Sequence, residues 1–194
     1  MALYGMTDED LEQMYQEVIL DAARDPHGKI DLGETDAGAD DSVTLALSHE
    51  YCIPARSHQF NPTCGDEVTV HVEVSDGNDG SAPRIERLVW DGQGCSISQA
   101  SLSVMVDLVE HKSVEEAMNL ASDFHNLMNS RGKGLPEDVD DEALGDAVVF
   151  QGVSRYPMRI KCALLGWEGM KAAVAQALSG VNSAASATLQ TKER

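Results

Sequence analysis

The sequence predicts an α+β fold, with a small antiparallel sheet of about three strands packed against several helices. Three observations carry this reading. Val68, Val70, Val72 and Val74 alternate with Thr69, His71 and Glu73, the period-2 signature of a strand with one buried face. Asp76-Gly77 and Asp79-Gly80 mark a loop before a return strand over 85–90, so the pair forms an antiparallel hairpin with a loop longer than the favoured one. Beyond Gly94 the period turns helical, through Ile97, Ala100, Val104, Met105, Leu108 and Val109.

Taken in order, the elements begin at Thr7, where Asp10 three residues on resembles a capping box and meets the positive end of the helix dipole. Leu11, Met14, Tyr15, Val18, Ile19 and Ala22 give that helix one apolar face, and Pro26 and Gly28 end it near Arg24. Residues 25–41 carry Asp31, Glu34, Asp36, Asp40 and Asp41 and few apolar side chains, which reads as a mobile acidic linker. Short extended pieces are expected over 42–47 and 55–60, the second leading into the turn at Cys64. Ser113 and Glu116 have capping-box spacing and open a helix to about residue 128, with Val114, Ala117, Met118, Ala121, Phe124 and Met128 inward. A second acidic patch, Glu137, Asp138, Asp140, Asp141, Glu142 and Asp146, falls around a short helix expected over 136–144. Pro157 suits the first turn of a final helix running to about Leu178, and residues 179–194 read as a disordered tail. The chain thus divides into one domain over 7–178, made of an N-terminal helix (7–25), a linker (26–50) and a core (51–178), followed by that tail.

Composition bounds the function. With 194 residues, 42% of them hydrophobic, the chain can bury one core. Thirty-three acidic residues against 14 basic ones give a formal charge of -19, which repels phosphate backbones and argues against nucleic-acid binding. Nothing approaches the roughly 18 consecutive apolar residues of a membrane span, and the start lacks a basic region followed by an apolar run. A cytoplasmic location is expected, where thiols stay reduced and cysteines point toward metal binding or catalysis.

The four cysteines are Cys52, Cys64, Cys95 and Cys162, with no Cys-x-x-Cys pair, which excludes an ordinary zinc ribbon. Cys64 stands two residues from Asp66 in the turn Asn61-Pro62-Thr63-Cys64-Gly65-Asp66. Cys95 lies at a helix N-terminus, where backbone N–H groups and the dipole favour a thiolate. Cys162 falls in the second turn of the last helix and shares a face with Arg159 and Gly166, the small glycine leaving room beside the thiol. Three thiolates and a carboxylate suit tetrahedral zinc, while the spacing alone is equally compatible with buried structural cysteines. Cys52 reads as an incidental thiol or a holding site for sulfur. His71 falls mid-strand on the polar face, and His58, His111 and His125 have no partner at ligand spacing, so all four read as surface or core residues and not as ligands.

Three motifs in order decide between those alternatives. They are the turn over 61–66, the stretch Asp91-Gly92-Gln93-Gly94-Cys95-Ser96-Ile97-Ser98-Gln99-Ala100-Ser101, and Arg155-Tyr156-Pro157-Met158-Arg159-Ile160-Lys161-Cys162-Ala163-Leu164-Leu165-Gly166-Trp167. Together they closely resemble the SufU family of iron–sulfur cluster assembly proteins, within the wider IscU and NifU N-terminal superfamily, over residues 7–25 and 51–178. Lys161 before Cys162, where IscU proteins carry histidine, and an insertion-like stretch over 130–152 favour SufU over IscU. The linker over 31–41, the tail after Ser179 and Cys52 depart from the family pattern.

The resemblance implies a zinc site made by Cys64, Asp66, Cys95 and Cys162. It implies that Cys64 accepts sulfur from the persulfide of a SufS-type cysteine desulfurase, a histidine of which replaces the leaving cysteine on zinc, with other SUF scaffold components as further partners. Arg159 either steadies an anionic sulfur or is a solvated surface residue. The alternative function is a scaffold on which a [2Fe–2S] cluster, or iron, is bound by the same residues. A purely structural zinc domain is the third reading.

Overall fold

Strand alternation puts Val68, Val70, Val72 and Val74 on one face of the central strand, and all four are fully buried. The computed structural model describes residues 8–32, 52–75, 77, 80–136 and 141–191. Within it β1 (Cys52–Asn61), β2 (Asp66–Ser75) and β3 (Ile85–Gln93) form an antiparallel sheet in the order β1-β2-β3. The architecture is α+β, as expected. β1 is longer than the 55–60 piece because its pairing with β2 is unbroken from Cys52 opposite Ser75 to Asn61 opposite Asp66. The extended piece expected over 42–47 lies outside the described residues, as do Thr7, Glu137, Asp138 and Asp140.

Helices α1 (Asp8–Arg24), α2 (Ser96–Val109), α3 (Val114–Asn129) and α4 (Pro157–Thr191) supply the other layer. The valine face of β2 packs against α4, and both belong to one continuous core that the other helices share. At Gly169 of α4 an added Cβ would lie 2.9 Å from Val70, so helix and sheet meet there without space for a side chain. Phe124 of α3 stacks on Trp167 of α4, ring centroids 4.7 Å apart, and takes the edge of Phe150 at 5.7 Å. The Ser113 hydroxyl accepts the Glu116 N–H while the Glu116 carboxylate accepts the Ser113 N–H, so the capping box forms as its spacing predicts.

Four features differ from the sequence reading. Met14 is 40% exposed, so the inward stripe of α1 runs through Tyr15, Val18, Ile19, Ala22 and Ala23 instead. The described start of the expected linker is held: Ile30 N–H donates to Trp90 O, Trp90 N–H donates to Gly28 O, and Leu32 is buried. Residues 28–30 thereby pair with Trp90 on the open edge of β3, a place where unpaired backbone groups need partners. The helix expected over 136–144 is instead a 3-10 segment, Asp141–Arg155, broken at Gly145, whose φ is +45°. Leu144, Ala147, Phe150 and Val153 recur every third residue and are all buried, the stripe that a three-residue turn produces. Finally, α4 continues to Thr191 through residues read as a tail; their alanine-rich run, Ser183-Ala184-Ala185-Ser186-Ala187, has high helix propensity.

The second face of the sheet is less polar in effect than its sequence suggests. His71 and Glu73 are both buried, at 4% and 0% exposure. Arg56 Nε donates to His71 Nδ1 at 3.3 Å, His71 Nε2 lies 3.6 Å from Glu73 Oε1, and Arg87 Nη1 lies 3.4 Å from the same oxygen. Burial and the nearby Arg56 charge hold His71 below its usual pKa of 6.5, and the Glu73 carboxylate only partly opposes them.

Candidate metal centre

The β1–β2 turn is four residues long, 62–65, and it carries Cys64 at its tip. Gly65 has φ +76°, a left-handed conformation that glycine adopts without a Cβ penalty, and its N–H donates to Asn61 O at 2.9 Å. This closes the tip and leaves the Cys64 side exposed, while Asp66, the first residue of β2, is 3% exposed.

Cys162 arrives from the second turn of α4, and 101 positions of sequence separate it from Asn61. Its burial is set by how α4 seats on α2. Ser101 of α2 donates to Ala163 O at 2.6 Å and accepts from the Trp167 indole N–H at 3.1 Å, both inside the core. A Cβ at Gly166 would lie 2.3 Å from Leu102 Cδ2. Gly166 therefore makes room for Leu102 between two helices, and the expectation that it clears space beside the thiol is corrected.

The Sγ atoms of Cys64 and Cys162 are 3.3 Å apart. Ligand atoms of Cys64, Asp66 and Cys162 all fall within 4.8 Å of one another. Cys95 occupies the N-cap of α2 in extended conformation, as expected, and its backbone N–H donates to Asp66 Oδ1 at 3.1 Å. Its side chain is exposed and does not join that tight group of three, but it lines the same cleft, of about 400 Å³, as Cys64, Cys162, Ile97, Met158 and Arg159. Gly94 is needed beside it, since a Cβ there would stand 2.9 Å from the Asp66 carboxylate carbon.

The electrostatics of the cluster are divided. Burial would push Asp66 up, but the Cys162 and Cys64 thiols beside it and the Cys95 N–H outweigh it and hold the carboxyl below its ordinary value. Burial first, then the neighbouring Cys64 thiol and the Asp66 carboxylate, push the Cys162 thiol strongly upward. A buried thiolate there needs a positive charge. Asp66 Oδ2 is buried with no hydrogen-bond partner among the described residues, an orphan acceptor that a cation would satisfy. Sulfur and carboxylate donors around such a point are the set zinc accepts.

Other residues singled out from sequence separate from the site. Cys52 is buried at the far end of β1, roughly 30 Å of strand away from Asn61. His58 pairs with Thr69, His125 with Asn129, and His111 lies near Glu86. Lys161 is exposed. The Arg159 guanidinium lies 4.7 Å over the Tyr156 ring while lining the cleft. Asn61, the first residue of the turn motif, has no role assigned by its sequence pattern; it is buried, and its amide reaches Cys162 Sγ at 3.9 Å. No local signal marks that contact, because its partner is a hundred residues away.

Comparison with known proteins identifies the family. The NifU-like N terminal domain family matches residues 14–163, a span that holds all four candidate ligands. The chain is 32% identical over 171 residues to the zinc-dependent sulfurtransferase SufU of Bacillus subtilis strain 168, covering 88% of this chain and 96% of that one. It is 38% identical over 114 residues to the iron–sulfur cluster assembly scaffold protein IscU of Streptococcus pyogenes serotype M1, covering 59% of this chain and 65% of that one. Among solved structures, a candidate iron–sulfur cluster assembly scaffold protein for the SUF system from Fervidobacterium islandicum AW-1 superposes with a TM-score of 0.57 at 29% identity, covering 84% of this chain and 97% of that one. The N-terminal part of a NifU-like protein from Brucella abortus gives 0.62 at 19% identity, covering 88% and 97%, which bears on the fold alone.

Proposed function

This chain belongs to the NifU-like N-terminal domain family, and from that premise we propose that it serves iron–sulfur cluster assembly as a zinc-dependent sulfurtransferase. It takes sulfur from the persulfide of a SufS-type cysteine desulfurase onto Cys64 and passes it on within the SUF system. The observation that carries this is the contrast at the cleft: an exposed thiol on a hairpin tip lies 3.3 Å from a buried one on a helix. An acceptor must reach a partner's sulfur, and Cys64 is on the element that can do so.

Cys64, Asp66, Cys95 and Cys162 would hold the zinc ion. Bound zinc would keep the thiols deprotonated at neutral pH while damping their nucleophilicity. The remaining work is done by the chain. Cys64, released as a thiolate, attacks the outer sulfur of the partner's persulfide; a new S–S bond forms on Cys64, the partner's S–S bond breaks, and the partner cysteine leaves as a thiolate. Asp66, fixed by the Cys95 N–H, keeps a full negative charge beneath the tip. Arg159, held over Tyr156 at the cleft wall, offers its guanidinium to the anionic persulfide.

A second reading, favoured by the 38% identity to an IscU, is a scaffold that receives a [2Fe–2S] cluster as cargo on the same residues. Elemental analysis of protein purified without added metal, together with stimulation of a cysteine desulfurase by wild type and Cys64→Ala, tests the choice. About one zinc per chain, as one four-ligand site requires, and stimulation lost in Cys64→Ala support sulfur transfer. Brown protein with iron and labile sulfide, and no stimulation by the zinc form, moves the assignment to the scaffold.

A further inference from the structure

We propose that Asn61 is a positioning residue that holds Cys162 back by an N–H···S hydrogen bond, and so leaves Cys64 as the thiol that reacts. The inference rests on the proposed sulfur-transfer reading and assigns which cysteine of the cleft is kept as a fixed ligand. Asn61 ends β1 and is 5% exposed, and a buried amide must find partners at both ends of its side chain. Its Oδ1 accepts the Thr63 N–H at 3.1 Å, inside the hairpin tip. That contact fixes which end is which, because an amide nitrogen cannot accept a backbone N–H. Nδ2 is therefore the end directed at Cys162 Sγ, 3.9 Å away.

One residue thus does two things. Its carbonyl groups, side chain and main chain, accept from Thr63 and Gly65 on either side of Cys64, and its amide donates to the sulfur on α4. An N–H donor draws electron density from a thiolate, which lowers its nucleophilicity and its tendency to be displaced. Among the described residues no side-chain nitrogen or oxygen donates in the same way to Cys64 or Cys95. The asymmetry between two sulfurs in contact is then chemical as well as positional.

Asn61→Asp is the sharp test, since it keeps an acceptor for Thr63 and removes the donor to Cys162; Asn61→Ala is the second variant should the new carboxylate prevent folding. The first readout is the ratio of iodoacetamide modification at Cys162 to that at Cys64, followed peptide by peptide on the protein as purified. A rise of roughly fivefold in this ratio, the scale of one lost hydrogen bond, is expected in either folded variant. The second readout is the sulfur-to-cobalt charge-transfer band of protein loaded with Co²⁺, expected to move to longer wavelength because the sulfur regains electron density. A structural role alone would change the melting temperature and leave both readouts in place. An unchanged ratio together with an unmoved band, in a folded variant, overturns the proposal. Neither readout needs a desulfurase: a changed ratio in a protein whose Cys64 takes up no sulfur would sink the transfer reading and keep this one.

Discussion

The hairpin tip over 62–65 and the second turn of α4 each present one thiol to the same cleft, yet they are built in opposite ways. The tip is four residues long and exposed, and it is closed by Asn61 and the left-handed Gly65. The α4 turn is locked by Ser101, Leu102 and the Phe124–Trp167 stack, and its cysteine is buried. Two sulfurs in contact can therefore have different duties. What separates them is the stiffness of what stands behind each, which the core sets on the α4 side and two or three polar contacts set on the other.

Breaking the stiff side should have the largest effect. Trp167→Ala removes the ring that stacks on Phe124 and the N–H that Ser101 accepts, and should cost about 3–5 kcal/mol in urea unfolding. Cys162 should become reactive toward alkylating agents in whatever fraction stays folded, because the turn that buries it loses its anchor. A smaller wedge comes next. Gly166→Ala places a methyl group against Leu102 and should cost about 1–3 kcal/mol. Adding Leu102→Ala should destabilise by less than the sum of the two single changes, since the clash disappears, and a double-mutant cycle reads that coupling.

These two positions also mark where sequence reasoning stops. Cys95 at a helix N-terminus, the Ser113–Glu116 capping box and the buried valine face of β2 were all legible, because each is a local pattern of spacing. The partner of Gly166 was not, since Leu102 comes from another helix 64 positions earlier. The 3-10 segment escapes its sequence pattern for a different reason. Leu144, Ala147, Phe150 and Val153 follow a three-residue repeat, and a search at helical period sees only its beginning. For the site, the three motifs gave Cys64, Asp66, Cys95 and Cys162 as candidates, while the Asn61 contact needs two strands and a helix already in place.

The sheet's outer face provides a control removed from both thiols. His71 has a folded pKa below its ordinary value of 6.5, so the unfolded chain binds more protons in that window. Its contribution to stability is present above the unfolded value and is lost as the pH falls through the folded one. Urea titrations at descending pH should show this decline in wild type and a flatter profile in His71→Gln, with Cys64 and Cys162 alkylation unaffected. The smallest effect on stability belongs to the tip. Cys64→Ser in metal-free protein should change unfolding free energy by no more than about 0.5 kcal/mol, because the side chain is exposed. A structural zinc domain with no exchange chemistry predicts the reverse for metal-loaded protein, a collapse on losing this ligand with no separate loss of activity.

The most direct test of the account follows where the sulfur lands. The protein is incubated with a cysteine desulfurase and free cysteine, its thiols and persulfides are blocked, and digested peptides are weighed. The account predicts one added sulfur on the peptide carrying Cys64 and none on those carrying Cys95 or Cys162. Sulfur found on Cys162 instead, or distributed evenly over the three, would contradict it.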